Sequence, residues 1–272
     1  MTLPTVRLAR SGLCTSRLAF GTSRLHYLDR HHRRRVLTQA ADLGILHFDT
    51  APAYGDGLSE VALGEFLRGS RSRYIVATKY GIPADPLIEG MPRMATVIRG
   101  AKAIARRAGI ANGAHPPLTA DGLIASVERS LKHIGTDWID ILFLHEPALS
   151  RMPDPDELLL ALERLRERGL IRHFGLAGAW GGIADLGGSA GRFGQILQTN
   201  ETGWPEDAPP EITFGSIAMG PQSAFAQRID PAAAISRLQA ALVRRPQGVV
   251  IVSTTSEAHL SSLVEAAAAA SA

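Results

Sequence analysis

Cysteine is almost missing from this chain: Cys14 is the only one in 272 residues. A single thiol excludes an intrachain disulfide framework and a zinc site built on several cysteines, and it fits a reducing cytoplasm. Long apolar runs are missing as well. The amino terminus lacks the uninterrupted apolar core of a signal peptide, and no segment approaches the roughly 20 apolar residues that span a bilayer. A soluble protein is predicted. No Walker loop is present, and Gly55-Asp56-Gly57 is only a fragment of a dinucleotide fingerprint, without its third glycine. Gly187-Gly188-Ser189-Ala190-Gly191 satisfies the hydrolase G-x-S-x-G pattern, but residues 181–186 before it do not read as a strand. No nucleophile elbow is built there, and the glycines read as a flexible loop. Charge excess is small, at a formal +3. Basic residues cluster only at Arg30-His31-His32-Arg33-Arg34-Arg35, which reads as an exposed helix face because no nucleic-acid module accompanies it.

What is present is a regular alternation. Short runs of β-formers at residues 17–20, 45–48, 74–78, 139–144, 172–176, 195–199, 212–215 and 249–252 alternate with longer amphipathic stretches. Helices are predicted at residues 30–43, 59–67, 119–134, 155–168, 231–244 and 257–269. Asp154 before Pro155 and Asp230 before Pro231 are N-cap and N1 pairs. Eight strands with intervening helices predict an α/β fold, a (β/α)8 TIM barrel, and the length suits one such domain over residues 1–272. Two connections depart from an even barrel. Residues 81–118 form a long β3-α3 insert with a predicted helix at 94–108, placed to act as a lid. Residues 201–211 carry Pro205, Pro209 and Pro210 and leave room only for a short sixth crossover. The alanine run at residues 266–270 is expected to be a fraying helix end.

Four side chains carry the chemistry. Asp49 and Tyr54 lie in His47-Phe48-Asp49-Thr50-Ala51-Pro52-Ala53-Tyr54-Gly55; Lys79 closes the run from Tyr74, and His145 closes the run from Ile139. Short apolar runs that end in reactive groups are what a parallel barrel produces when catalytic residues sit at strand C-termini. Taken singly, Asp49 reads equally as a turn residue, Tyr54 as a surface aromatic and His145 as a satisfied core histidine. Lys79 resists such a reading. It is one of three lysines among abundant arginines, and it ends a buried strand where a charge needs a partner.

These segments resemble the aldo-keto reductases. The likeness rests on residues 47–64, on Ala77-Thr78-Lys79-Tyr80-Gly81 and on Phe143-Leu144-His145-Glu146-Pro147, and it extends to residues 8–13, Gly21-Thr22 and Ser253-Thr254-Thr255-Ser256. The resemblance implies a cytoplasmic oxidoreductase that interconverts an aldehyde, ketone or sugar carbonyl and its alcohol, with NADPH or NADH as cofactor. It implies Tyr54 as general acid and base, Lys79 held by Asp49 to lower the tyrosine pKa, and His145 to orient the carbonyl. For the cofactor it implies Gly21, Thr22, Asp49, Gln198 and Phe214 at the nicotinamide half, Phe214 stacking on the ring. Ser253, Thr254, Thr255 and His259 would meet the phosphates and adenosine.

The sequence departs from that pattern in places. Ala177-Gly178 stands where a Ser-Asn pair holds the carboxamide, and Ser262-Leu263 where a Glu-Asn pair holds adenine. Ser253 and His259 replace two cations of the ribose 2′-phosphate site, which predicts modest discrimination between NADPH and NADH, with Arg244 and Arg245 as possible substitutes. Two other readings therefore stay open. One is a non-redox barrel enzyme, a lyase or aldolase using Lys79 or an isomerase using Tyr54 and His145. The other is a non-catalytic nucleotide-sensing partner protein. The expected partner is a small carbonyl or sugar substrate, with no nucleic acid, no membrane and no metal, and the chain is expected to be a monomer or weak homo-oligomer. Arg93, Arg99, Lys102, Arg106 and Arg107 give the insert a basic character suited to an acidic substrate or to a solvated helix face.

Overall fold

The computed structural model describes residues 3–91, 94, 97–98, 100–101, 115–188, 192–194, 196–200, 203–205, 209–217 and 230–270. An antiparallel hairpin comes first, β1 (Thr5–Arg7) and β2 (Cys14–Ser16). Eight parallel strands follow: β3 (Leu18–Gly21), β4 (His47–Asp49), β5 (Ile75–Tyr80), β6 (Ile139–His145), β7 (Ile171–Gly178), β8 (Ile196–Asn200), β9 (Ile212–Phe214) and β10 (Val249–Val252). They pair in chain order, and β10 returns to β3 to close the barrel. The predicted (β/α)8 class and all eight strands are thus observed, with ends displaced by a few residues.

Among the described residues the α-helices are α1 (Arg30–Asp42), α2 (Leu58–Leu67), α3 (Pro86–Gly90), α4 (Ala120–Ile134), α5 (Pro155–Glu167), α6 (Trp180–Gly188), α7 (Pro231–Arg244) and α8 (Glu257–Ala269). Their starts follow from local chemistry. Asp154 accepts a hydrogen bond from the Glu157 amide and Asp230 one from the Ala233 amide, each ahead of a proline at the first helical position. The basic run lies on α1, where Arg30 pairs with Glu65 and Arg35 with Glu257 at the surface.

Side-chain alternation along each strand builds two kinds of core. Outward residues such as Leu18, Phe20, Phe48 and Val76 pack beneath α1, α2, α7 and α8, while Leu142, Leu144, Phe174 and Leu176 pack beneath α4, α5 and α6. Inward residues, among them Ala19, Ala77, Ile141, Phe143, Ile196 and Ile251, fill the barrel together with Val6 and Leu8 from the hairpin. The hairpin therefore plugs the end from which the strands start. Nothing in its short, mixed sequence had indicated a strand pair.

Two expectations need correction. Gly187 and Gly188 belong to helix α6 and not to a loop, because Ile183 and Leu186 supply a buried face that packs on the second outer core. Residues 189–191 of that pattern lie outside the described residues. Similarly, the terminal alanines do not fray as a whole: Ala266, Ala267 and Ala268 are buried in α8, where small side chains let the helix approach its neighbours. The predicted lid helix at 94–108 and all five basic residues of the insert fall largely or wholly outside the described residues, as does part of the 201–211 crossover. Among the described residues, no helix is long and apolar enough to cross a membrane.

Candidate active site

Asp49, Lys79 and His145 stand at or next to the carboxyl ends of β4, β5 and β6, and Tyr54 lies in the turn that follows β4. Parallel register puts them together: Asp49 is level with Gly21 on β3 and with Ala77 on β5, and Lys79 is level with Phe143 on β6. Lys79 Nζ donates to Asp49 Oδ2 at 2.6 Å and to the Thr50 carbonyl at 2.9 Å. Gln198 Nε2 donates to the other Asp49 oxygen at 2.8 Å, so both carboxylate oxygens are occupied. The ammonium lies 4.9 Å from the centre of the Tyr54 ring, and the His145 ring stands perpendicular to Tyr54 with centroids 6.3 Å apart. All four predicted residues therefore converge.

Electrostatics refine one expectation. Burial would discharge Lys79, but Asp49 and Tyr54 more than offset it and raise its pKa, so the ammonium persists. The Tyr54 pKa, expected to fall, is instead raised: burial is the largest cause, Lys79 pulls the other way, and Asp49 and Glu146 add to the rise. A charged lysine under the ring is thus necessary to restrain a shift that the surrounding protein imposes. The phenol stays protonated at neutral pH. His145 is pushed down to about 3 by burial, with Lys79, His115 and Arg151 adding to it, and so its imidazole is neutral. A neutral imidazole can donate through one nitrogen without bringing a second cation to the site.

Buried polar side chains gather at the carboxyl ends of the strands from β7 round to β3. Gln198 is buried, and among the described residues its carbonyl oxygen has no hydrogen-bond partner; the same holds for the buried hydroxyls of Thr22, Thr50 and Ser216. Polar atoms buried without partners are rare unless something else satisfies them. Phe214 ends β9 half-buried beside them. At the β3–β10 seam a Cβ on Gly21 would lie 2.3 Å from Ser253 Oγ, so only glycine keeps this edge open. Thr254 accepts from the Ser256 amide, Ser256 caps α8 through the His259 amide, and Thr255 is exposed at the helix start. The predicted residues Gly21, Thr22, Asp49, Gln198, Phe214, Ser253, Thr254, Thr255 and His259 thus share one end of the barrel. These residues fit a nicotinamide nucleotide in donor and acceptor type.

Arg244 and Arg245 cannot supply the missing phosphate cations. They end α7 and precede β10, at the opposite end of the barrel from Ser253, where both guanidinium groups lie over the Trp204 ring at 4.2 and 5.4 Å. Ala177 and Gly178 are confirmed as side chains without hydrogen-bonding atoms at the end of β7.

Two residues beside the site escaped the sequence reading. Glu146 follows His145 with φ 47°, a left-handed conformation that carries no sequence signal when the residue is not glycine or asparagine. Arg151 donates to the carbonyls of Gly81, Pro116 and Glu146 at 2.6, 3.0 and 2.7 Å, tying together the loop after β5, the end of the insert and the loop after β6. Its role depends on distant carbonyls, so spacing could not disclose it. The insert is anchored at its start too, where the Asp85 amide donates to Asp56 near Tyr54.

Comparison with known proteins agrees with this geometry. The sequence profile described as the Aldo/keto reductase family matches residues 17–184. D-threo-aldose 1-dehydrogenase from Pseudomonas sp is 33% identical over 185 residues, covering 62% of this chain and 51% of that protein. L-galactose dehydrogenase from Arabidopsis thaliana is 30% identical over 179 residues, 63% of this chain and 47% of its own. The match therefore spans about half the length of these curated relatives. Among solved structures, an aldo-keto reductase from Bacillus halodurans in its holo form superposes with TM-score 0.70 at 19% identity, over 97% of this chain and 90% of that one. An aldo-keto reductase from Klebsiella pneumoniae in complex with NADPH gives 0.67 at 18% identity, over 98% and 90%. At such identities these two structures speak for the fold alone. With the profile covering more than half its length, the chain belongs to the Aldo/keto reductase family.

Proposed function

We propose that this protein is an NAD(P)-dependent oxidoreductase that interconverts an aldehyde, ketone or sugar carbonyl and its alcohol, with Tyr54 as general acid in reduction and general base in oxidation. The observation that carries this reading is the Asp49–Lys79 ion pair, 2.6 Å long, placed beneath the Tyr54 ring with a neutral His145 across from it. A bound nicotinamide supplies the hydride. Tyr54 holds the proton that the nascent alkoxide takes, and Lys79 steadies the phenolate left behind. Asp49 keeps Lys79 charged, and Gln198 keeps Asp49 turned toward it. His145 directs the carbonyl oxygen toward the phenol. Gln198 Oε1 and the Thr22 hydroxyl would be offered to the nucleotide, and Phe214 would pack against it.

A Schiff-base mechanism is disfavoured by the same geometry. Lys79 is 3% exposed and held protonated by Asp49, whereas an amine nucleophile must be free of its proton.

The test is a parallel fluorescence titration with NADPH and NADH, followed by a search for carbonyls that oxidise the bound nucleotide. Saturable binding with carbonyl-dependent oxidation is expected. Binding with no turnover on any carbonyl would move the reading to a nucleotide sensor, and borohydride trapping of a substrate on Lys79 would move it to an aldolase.

A further inference from the structure

Glu146 is an exposed carboxylate held in a costly backbone conformation one residue after His145. A non-glycine residue at φ 47° persists only where its surroundings fix it. Two hydrogen bonds do so here: the Glu146 amide donates to the Ala177 carbonyl at 2.7 Å, and its carbonyl accepts from Arg151 at 2.7 Å. The side chain is thereby turned over the end of β7. A Cβ on Gly178 would stand 3.0 Å from Glu146 Oε2, in contact with it, so the bare glycine leaves the carboxylate its place.

The charge is close to the chemistry. Burial is the main cause of the raised Tyr54 pKa, and the Glu146 charge adds to it. Arg151 senses the same carboxylate, yet it spends its hydrogen bonds on three backbone carbonyls, and no ion pair engages the Glu146 side chain among the described residues. An acceptor-only group is thus presented beside the phenol and imidazole with its lone pairs open. Strain stored at such a position is a mark of function, since a relaxed loop would serve packing equally well.

We infer that Glu146 is a specificity-determining residue, which accepts a hydrogen bond from a hydroxyl or ammonium group that the substrate carries next to its carbonyl. This rests on the reductase reading above. It selects hydroxylated carbonyl compounds over plain alkyl ones and disfavours substrates with a carboxylate or phosphate at that position.

The test compares wild type, Glu146→Ala and Glu146→Gln on two ketones of similar size, hydroxyacetone and 2-butanone, with the nucleotide Kd measured for each variant. Hydrogen bonds to charged groups are strong enough that Glu146→Ala is expected to lower kcat/KM for hydroxyacetone about tenfold or more, through KM. The value for 2-butanone should change less than about twofold. Glu146→Gln, which keeps one acceptor, should fall between. Equal losses on both ketones, or a weakened nucleotide Kd with both rates falling together, would overturn the assignment, the second result giving Glu146 to the cofactor amide.

Binding is read independently of turnover, by saturation-transfer NMR of each ketone with the protein and NADP+. Preferential contact with hydroxyacetone that Glu146→Ala abolishes would support the inference even if hydride transfer failed. Equal contact in both proteins would refute it, whatever the outcome for the reductase reading.

Discussion

Two buried carboxylates, Asp49 and Asp140, stand at opposite ends of the same barrel, and their surroundings differ in kind. Asp140, near the start of β6, receives four donors: Trp138 Nε1 and Arg172 on one oxygen, Arg71 and the Val76 amide on the other. Arg71 and Arg172 both lie against the Trp138 ring, at 4.6 and 4.9 Å. That network is closed. At Asp49 the pairing is equally tight, but it ends in a phenol, a neutral imidazole and a set of buried hydroxyl and amide oxygens without a hydrogen-bond partner among the described residues. A closed network stabilises one arrangement; an open one awaits a ligand. Charge burial alone therefore does not mark the candidate active site; the convergence of a buried ion pair, a phenol and an imidazole at the strand C-termini does.

The sharpest way to separate the two ends is to remove one group from each. Tyr54→Phe is expected to reduce carbonyl turnover by about 100- to 10,000-fold, the range for loss of a general acid, while nucleotide affinity and melting temperature stay near wild type. Steady-state kinetics beside a fluorescence titration would show it. If the variant retains near-normal activity, Tyr54 is not the proton donor. Lys79→Met should also suppress turnover, since the tyrosine then loses the cation that lowers its pKa and becomes a still weaker acid.

Asp140→Asn should behave in the opposite way. Breaking a buried ion pair strands its partner, here the largely buried Arg71, and costs about 3–5 kcal/mol. A lower urea midpoint is expected, with kcat unchanged at temperatures where the variant is folded. A loss of kcat without a loss of stability would erase the distinction between the two ends.

The sequence disclosed the active end more fully than the structural one. Strand ends that stop at Asp49, Lys79 and His145 are conspicuous because charged and titratable groups interrupt apolar runs. The Asp140 cluster draws on Arg71, Trp138 and Arg172 from three separate connections or strand starts, none unusual in its own segment. The hairpin plug was hidden for a similar reason: three-residue strands have no period to read. Gly187 and Gly188 misled because glycine pairs resemble loops, while tertiary packing of Ile183 and Leu186 overrides that propensity. The direction of the Tyr54 shift was misjudged because a nearby cation can be named from sequence, whereas the burial that outweighs it cannot.

Between the two ends lies His47, wholly buried below Asp49, with neither ring nitrogen hydrogen-bonded among the described residues. Burial holds its pKa down to about 4; Lys79 adds to that, while Asp49 and Asp140 oppose it. The unfolded chain binds this proton near pH 6.5, so stability is lost as pH falls from about 6.5 to about 4, on the order of 3 kcal/mol from this group. In His47→Leu, the urea midpoint should decline less over that window than in wild type. An identical decline would assign the acid sensitivity elsewhere, His145 being the next candidate.

The smallest effect expected concerns the nucleotide. His259 has its Nδ1 near Thr254 Oγ1 at 3.4 Å and, among the described residues, its buried Nε2 has no partner. His259→Arg should raise the preference for NADPH over NADH by about tenfold, as expected for one added charge-assisted contact. Unchanged preference would place the ribose phosphate away from α8.

In the proposed reaction a bound nicotinamide gives hydride to a carbonyl carbon at the open end of the barrel while Tyr54 protonates the oxygen. Its most direct test is a turnover with nicotinamide deuterated at C4 and a reducible ketone, followed by mass spectrometry of the alcohol. One deuterium is expected on the carbinol carbon with wild type, and a rate of formation lowered by about 100-fold or more with Tyr54→Phe. Alcohol formed without deuterium from either face of the labelled ring, or formed equally fast without the Tyr54 hydroxyl, would contradict it.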